Sequence, residues 1–133
     1  MTLHGDVGSH GLDGGTEMAA SGSIWSHATQ IAAGRFNAAT YVTDLMVRWS
    51  SGALNNHVGT TTGGLGSEQP IHGPDKTWTH SVIMTTGQYT GDGLTNDLII
   101  RWNDGETTLY KDTRLGSEIM IAPPAQAARQ VRP

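Results

Sequence analysis

The chain has 133 residues, a net charge of -4 at pH 7 and no cysteine. The acidic balance argues against a nucleic-acid partner, which requires a basic surface, and the lack of cysteine excludes disulfides and thiolate metal sites. The sequence has no apolar run of the roughly 20 residues that a membrane span needs. Glycine accounts for 18 residues and charged residues for only 15%, a composition typical of short strands joined by tight turns.

The N-terminal segment, residues 2–20, is predicted to contain two short strands joined by a Gly-rich loop. These strands are expected near Leu3 and near residues 17–19. His4, His57 and Tyr110 recur at a constant spacing of 53 residues. The segment is therefore interpreted as the second half of a longer unit that follows twice.

Residues 24–73 form the first whole unit. Alternating apolar residues bounded by turn signals predict strands near residues 29–35, 44–49, 53–58 and 68–72. A helix is the competing interpretation for residues 24–33, where apolar residues fall at helical spacing. The corresponding segment of the second unit, residues 82–86, is β-branched and strand-like. Because equivalent segments share a structure, a strand is predicted in both.

Residues 77–123 form the second whole unit, with strands predicted near residues 81–88, 97–102, 107–111 and 118–122. Two prolines at residues 123 and 124 end the last strand, because proline cannot donate to a sheet ladder. The sequence therefore predicts one repeat domain over residues 1–124. Residues 125–133 are predicted to be a flexible tail.

The two units match closely at their centres. Asp-Leu-Met-Val-Arg-Trp-Ser-Ser-Gly at residues 44–52 is followed 53 residues later by Asp-Leu-Ile-Ile-Arg-Trp-Asn-Asp-Gly at residues 97–105. A fixed period of this size is typical of propellers, solenoids and arrays, and four strands in about 50 residues match one propeller blade. The prediction is an all-β chain with about two and a half four-stranded antiparallel blades.

The loop before the second central strand carries a family resemblance. Residues 87–98 read Gly-Gln-Tyr-Thr-Gly-Asp-Gly-Leu-Thr-Asn-Asp-Leu. This resembles the signature of FG-GAP (VCBS-like) β-propeller repeats, in which Gly-Asp-Phe-Asn-Gly-Asp-Gly is followed shortly by Asp-Leu. The resemblance extends over most of the chain and implies a β-propeller of the secreted bacterial kind. It implies no single activity, because the family serves as adhesion, lectin and accessory modules.

The resemblance also implies Ca²⁺ in the acidic loop, held by oxygen ligands that suit a hard cation. The matching ligands in this chain are Asp92, Asn96 and Asp97. Gln88 and Thr90 stand where the family pattern has Asp and Asn. The alternative is a Gly-Asp-Gly turn in which Asp92 caps its own backbone.

Two Trp-x-His pairs are the candidate sugar-binding residues. Trp25 with His27 begins the first unit, and Trp78 with His80 begins the second. An aromatic platform beneath a pyranose ring with nearby polar groups is typical of sugar sites. The alternative is a tryptophan packed between blades beside an exposed histidine. The tryptophans at positions 49 and 102 are predicted to pack between blades.

Catalytic motifs are lacking: the sequence contains no Gly-x-Ser-x-Gly, no phosphate-binding loop and no carboxylate pair outside the repeat. Asp44 with Arg48, and Asp97 with Arg101, are predicted to form a polar ladder on one strand face. Features present in both units are poor candidates for a unique active site. The chain is therefore predicted not to be an enzyme.

The sequence thus predicts a carbohydrate-binding, lectin-like module whose partner is a glycan. We expect it to be secreted, with the leader absent from this chain, and to complete its propeller with copies of itself or with a partner chain. Sheet faces lined by Leu45, Val47, Leu98 and Ile100 are expected to be exposed for that contact. The alternative is a structural or adhesion subunit of a larger secreted assembly that binds no sugar.

Overall fold

The computed structural model describes most of the chain. The described residues are 1–4, 7–8, 11–12, 14–37, 42–61, 63–112, 115 and 118–124, with only the backbone considered at residues 7, 8 and 12. The predicted tail over residues 125–133 lies outside these ranges, so that prediction stays open.

The N-terminal segment forms a nested pair of short antiparallel ladders. Its strands are β1 (Thr2–His4), β2 (Val7–Gly8), β3 (Gly11–Leu12) and β4 (Gly15–Glu17). β1 pairs with β4, and β2 pairs with β3. The strand expected around residues 17–19 therefore ends at Glu17. The N–H groups of Met18 and Ala19 instead donate to the carbonyl oxygen of Met1, at 2.8 and 3.3 Å.

Two four-stranded antiparallel sheets follow, each with its strands in chain order. Sheet I contains β5 (Ala28–Gly34), β6 (Asp44–Trp49), β7 (Leu54–Val58) and β8 (Ser67–His72). Sheet II contains β9 (Ser81–Gly87), β10 (Asp97–Trp102), β11 (Thr107–Tyr110) and β12 (Glu118–Ala122). The predicted all-β architecture with four-stranded antiparallel sheets is confirmed.

Each sheet is preceded by a single 3-10 turn, Ile24–His27 for sheet I and Trp78–His80 for sheet II. The helical periodicity of residues 24–33 therefore produces one turn, after which the strand predicted from the second unit takes over. Within the described ranges there is no α-helix, and no helical segment is long and apolar enough to cross a membrane.

The central strand of each sheet runs into the same tight turn. Gly52 and Gly105 have φ of 89° and 90°, a left-handed conformation that favours glycine because it lacks a Cβ atom. Their N–H groups donate to the carbonyl oxygens of Trp49 and Trp102, both at 2.9 Å. The same glycine-ended turn is therefore present in both sheets.

The sheets pack against each other through a shared core. Its buried members are Ala32, Met46, Leu54, Trp78, Met84, Leu98, Ile100 and Tyr110. Beside the apolar core, Gln30 Nε2 and Arg48 Nη2 of sheet I each donate to the Ser81 carbonyl oxygen of sheet II at 2.9 Å. Removal from water lowers the pKa of the Arg48 guanidinium.

The expectation that Leu98 and Ile100 lie on an exposed face is wrong. Both are fully buried, because their face of sheet II is the one that packs on sheet I, and Val47 is also fully buried. Successive side chains alternate across a strand, so Ile99 lies on the opposite face. Ile83 also lies on that opposite face and is 49% exposed.

Candidate functional site

A buried carboxylate begins the central strand of sheet I. Asp44 Oδ2 accepts the N–H groups of Phe36 and Asn37 at 2.9 and 2.8 Å. Its Oδ1 accepts the N–H of Gly59 at 2.8 Å. The side chain is fully buried and joins the segment after β5 to the segment after β7. Backbone N–H groups that would otherwise lack partners are satisfied by this one residue.

Asp97 repeats the arrangement in sheet II. Its Oδ2 accepts the N–H groups of Tyr89 and Thr90 at 2.7 and 3.0 Å, and its Oδ1 accepts the N–H of Asp112 at 3.0 Å. Each donor lies 53 residues after its counterpart in sheet I. The two aspartates therefore anchor the loops that frame each unit.

The predicted polar ladder between Asp44 and Arg48 does not form. Positions four apart on a strand share a face but lie about 13 Å from one another. Arg48 instead donates to the carbonyl oxygens of Trp49 and Ser81, at 3.2 and 2.9 Å. Its role is to connect the two sheets.

Two of the three predicted calcium ligands, Asp92 and Asn96, lie in the loop before β10, and the third, Asp97, begins that strand. Asp92 Oδ1 accepts the Leu94 N–H at 2.9 Å, and its Oδ2 accepts the Asn96 Nδ2 at 3.0 Å. These bonds, with Leu94 contributing most, lower the pKa of Asp92. The Asp97 carboxylate faces the three N–H donors described above. Asn96 Oδ1 is buried and, within the described part of the chain, lacks a hydrogen-bond partner.

Calcium takes six to eight oxygen ligands. Among the described residues, no three His, Asp or Glu side chains gather into a group able to hold a metal ion. The hydrogen bonds of Asp92 and Asp97 fit a capped turn better than a calcium cage. The calcium site stays a prediction from the family resemblance.

We expect the melting temperature to be the same in calcium and in an excess of chelator. An ion that binds only the folded state would raise the melting temperature, by an amount that grows with the ratio of its concentration to its dissociation constant. Circular dichroism melts in both buffers measure this directly, with Asp92→Asn as the matched variant. A drop on chelation that is missing in Asp92→Asn would establish the calcium site instead.

Trp25 belongs to an aromatic cluster on sheet I. Its ring centroid lies 5.0 Å from that of Trp49 and 5.1 Å from that of His57. The N–H of Ser50 donates to the carbonyl oxygen of His27 at 2.8 Å. This bond joins the 3-10 turn to the hairpin turn, so Trp25 and His27 are both held beside Trp49.

Trp78 occupies the equivalent position on sheet II. Its ring centroid lies 5.2 Å from that of Trp102 and 5.5 Å from that of Tyr110. The N–H of Asn103 donates to the carbonyl oxygen of His80 at 2.9 Å, as in sheet I. Trp78 is only 5% exposed. Its ring belongs to the core and offers no open face to a ligand.

A cleft opens beside each aromatic cluster. Cleft I, of about 360 Å³, is lined by Ile24, Trp25, His27, Trp49, Ser50, Ser51, Asn55 and Glu68. Cleft II, of about 330 Å³, is lined by Thr77, His80, Trp102, Asn103, Asp104, Glu106, Tyr110 and Glu118. Both volumes lie at the lower end of the roughly 300–1,000 Å³ range of small-molecule sites.

The clefts use equivalent positions of the repeat. His27, Trp49 and Glu68 line cleft I. The residues His80, Trp102 and Glu118 line cleft II at spacings of 53, 53 and 50 residues. An equivalent indole, imidazole and carboxylate therefore line both clefts. Its polar groups can exchange hydrogen bonds with a hydroxylated ligand.

In cleft II the polar groups already bond to one another. The Tyr110 hydroxyl donates to Glu118 Oε2 at 3.2 Å. Burial and the charge of Glu118 raise the pKa of Tyr110, so the phenol keeps its proton. Asn103 Nδ2 and His80 Nδ1 lie 3.0 Å apart. A ligand in this cleft has to compete with these contacts.

Cleft I has more unused hydrogen-bonding capacity. Trp102 Nε1 in sheet II donates to Thr108 Oγ1 at 3.0 Å. The equivalent Trp49 Nε1 is buried and has no partner among the described residues, because Asn55 replaces the threonine. His57, which lies behind Trp25 and outside the lining of cleft I, also has an Nε2 without a hydrogen bond, with Glu68 Oε2 4.0 Å away. An unmade bond of this kind is costly, so a small shift of the Trp49 ring that gave its Nε1 a ligand or water partner would be favourable.

The structure brings together two of the four predicted sugar-binding residues in one cleft. Trp25 and His27 both line cleft I, and His80 lines cleft II. Trp78 lies behind cleft II, and the indole that lines this cleft is the half-buried Trp102. The sequence favoured packing between blades for Trp102 and its equivalent.

The glutamates of the clefts were also missed. Glu68 and Glu118 end a repeated Leu-Gly-Ser-Glu sequence, and this repetition was the sequence signal that could have identified them.

Comparison with protein-family models, curated proteins and solved structures finds no match to this chain. The candidate site is therefore defined by the geometry of clefts I and II.

Proposed function

We propose that this chain is a non-enzymatic, carbohydrate-binding β-propeller module that assembles with other chains. The observation that carries the proposal is the repetition of an indole, an imidazole and a carboxylate in clefts I and II. An indole suits the apolar face of a pyranose ring, and the carboxylate accepts hydrogen bonds from its hydroxyl groups. Repeated weak sites suit a repetitive ligand such as a glycan, because linked sites raise avidity without new contacts.

The propeller arrangement is supported by how the two sheets relate. Each has four antiparallel strands in chain order, and equivalent strands start 53 residues apart. The first strands lie side by side, with the Thr86 hydroxyl donating to the carbonyl oxygen of Ala33, its own equivalent in sheet I. Successive blades of a propeller are related in this way.

The alternative is a structural or adhesion subunit that binds no sugar. The exposed apolar side chains of sheet II favour it, since Ile83 and Ile119 retain 49% and 41% of their accessible surface. Neighbouring apolar side chains exposed on one face often mark a protein interface. An interface of this kind is compatible with sugar binding. The alternative therefore differs from the proposed function only in that clefts I and II bind no glycan.

We expect members of a glycan panel to change the intrinsic tryptophan fluorescence, because Trp49 and Trp102 line the clefts. Glu68→Gln should weaken binding about tenfold, since a hydrogen bond to a charged group contributes roughly 1.5–3 kcal/mol. Glu118→Gln should have a smaller effect, because Glu118 is already bonded to Tyr110. Fluorescence titrations of each variant with the glycan measure the two dissociation constants, one for Glu68→Gln and one for Glu118→Gln.

The matched control is Glu17→Gln, an exposed change of the same chemistry outside both clefts. It should leave the dissociation constant unchanged. A folded protein whose fluorescence responds to no glycan would favour the adhesion alternative. If Glu17→Gln and Glu68→Gln weakened glycan binding equally, the binding site would not be in cleft I.

A further inference from the structure

One face of sheet II has the side chains of a buried surface but is only partly covered: Ile83 and Ile119 retain 49% and 41% of their accessible surface, whereas Ile99 and Leu109 are half-buried. We define this outer face by Ile83, Ile99, Arg101, Leu109 and Ile119. Ile99 pairs with Leu109, and Leu109 pairs with Ile119, so the three form one row across three strands. Ile83 pairs with Arg101 in another row. Apolar rows across a sheet are typical of a face on which a second layer packs.

The equivalent face of sheet I is covered by sheet II. Ile83, Ile99 and Arg101 correspond to Gln30, Met46 and Arg48, each 53 residues earlier. Met46 is fully buried in the core between the sheets. Gln30 and Arg48 donate to the carbonyl oxygen of Ser81 at the start of β9. One chain therefore already contains an example of this face together with the surface that covers it.

The surface along β9 that covers this face of sheet I has an equivalent along β5. Ser81 of β9 corresponds to Ala28 of β5. Ala28, Trp25 and Ile31 line one side of a cleft of about 400 Å³ beside β5, and Met1 with residues 20–22 of the same chain also line it. Ile31 is 50% exposed, whereas its equivalent Met84 is buried against sheet I. Val47, the equivalent of Ile100, is already fully buried within one chain, so a second copy presents the counterpart of the β9 surface along β5 alone.

We propose that the outer face of sheet II docks along β5 of a second copy, reproducing between chains the contact that β9 makes with sheet I within one chain. In this arrangement Arg101 donates to the carbonyl oxygen of Ala28 of the second copy, as Arg48 does to Ser81. Ile83 packs beside Ile31. The proposal rests on the assembly part of the proposed function and names the partner as a second copy.

The contact is head-to-tail, because each chain contributes two different surfaces. A two-fold contact between identical outer faces would bury both Arg101 guanidinium groups against an apolar surface without the carbonyl oxygen of residue 28 as a partner, which is costly. In the head-to-tail contact each Arg101 finds a carbonyl oxygen. Repetition of such a contact gives a closed ring or an extended array.

Sedimentation velocity over a concentration series tests the docking. We expect a species heavier than the 14.1 kDa chain. Ile83→Asp and Arg101→Glu should each raise the dissociation constant about tenfold or more, because each leaves a charge in an apolar contact without a partner. Met120→Asp is the matched control: Met120 is 58% exposed and pairs with Thr108 on the opposite face of the same sheet.

Disulfide cross-linking tests the identity of the two surfaces, because the natural chain has no cysteine. Chains carrying Ile83→Cys and chains carrying Ala28→Cys are mixed and oxidised, so that a mixed dimer can only join two different molecules. We expect the mixed dimer to form faster than either homodimer, and faster than the dimer of Met120→Cys with Ala28→Cys.

A monodisperse 14.1 kDa species at all concentrations would overturn the docking. The docking would also be contradicted if Met120→Asp weakened self-association as much as Ile83→Asp does. The same holds if the mixed dimer of Ile83→Cys with Ala28→Cys formed no faster than the dimer of Met120→Cys with Ala28→Cys. Glycan titrations on Arg101→Glu separate this result from the proposed function. If the chain assembles but its fluorescence responds to no glycan, only the sugar-binding proposal is contradicted. If the chain is strictly monomeric but responds to a glycan, only the docking proposal is contradicted.

Discussion

Replacing Trp78 with alanine should remove most of the stability of the chain. The indole is 5% exposed and packs against Trp102 and Tyr110, with centroid separations of 5.2 and 5.5 Å. Truncating a buried tryptophan costs about 3–5 kcal/mol, whereas a whole domain is stabilised by about 5–15 kcal/mol. Urea unfolding followed by far-UV circular dichroism measures the loss.

The matched control is Trp25→Ala, the same substitution 53 residues earlier. Trp25 is half-buried and is not part of the core between the sheets, so we expect a clearly smaller loss of unfolding free energy. Equal losses from the two substitutions would contradict the view that the contact between sheets I and II is the main source of stability. Trp78→Phe, which keeps an aromatic ring, should fall between them.

The strands were predictable because each segment occurs twice in the repeat, so two different sequences indicate the same structure. Residues 24–33 alone allow a helix, but the β-branched residues 82–86 do not, and the structure has strands at both places. The hairpin turns were predictable for a local reason. Gly52 and Gly105 adopt positive φ, and a glycine at that spacing after a strand is a strong turn signal.

The different fates of Trp25 and Trp78 were not predictable. Both belong to the same Trp-x-His pattern and begin the same 3-10 turn, so their local sequences carry equal information. Burial depends on what packs against each unit. Trp78 lies near His72 of the preceding sheet, at 6.3 Å between ring centroids, in addition to its own sheet. A periodic sequence does not reveal which unit has a packed neighbour.

The buried aspartates were predicted as partners of arginine because the sequence shows only side chains. Their actual partners are backbone N–H groups, which every residue except proline carries and which therefore leave no sequence signal. One indirect signal exists. Gly59 and Asp112, which donate the third N–H, both adopt positive φ, of 72° and 61°, and Gly and Asp are among the residues that tolerate it best.

Replacing Asp97 with asparagine should destabilise the chain by about 3 kcal/mol or more, although the side chain keeps its size. The carboxylate is fully buried and accepts N–H groups from Tyr89, Thr90 and Asp112. Asparagine places an NH₂ group where one oxygen stood, so at least one buried N–H then faces a donor. A buried donor left without an acceptor costs roughly 1–3 kcal/mol, and the lost charge weakens the remaining bonds.

Asp44→Asn should cost a similar amount, because it accepts the equivalent N–H groups in sheet I. Asp92→Asn is the control: it lies in the same loop as Asp97 but is exposed, and we expect a much smaller shift in the urea midpoint. Amide hydrogen exchange locates the effect. In Asp97→Asn the amides of Tyr89, Thr90 and Asp112 should lose protection first, while those bonded to Asp44 keep theirs. Uniform loss of protection over both sheets, or a destabilisation no larger than that of Asp92→Asn, would mean that these carboxylates do not hold the loops in place.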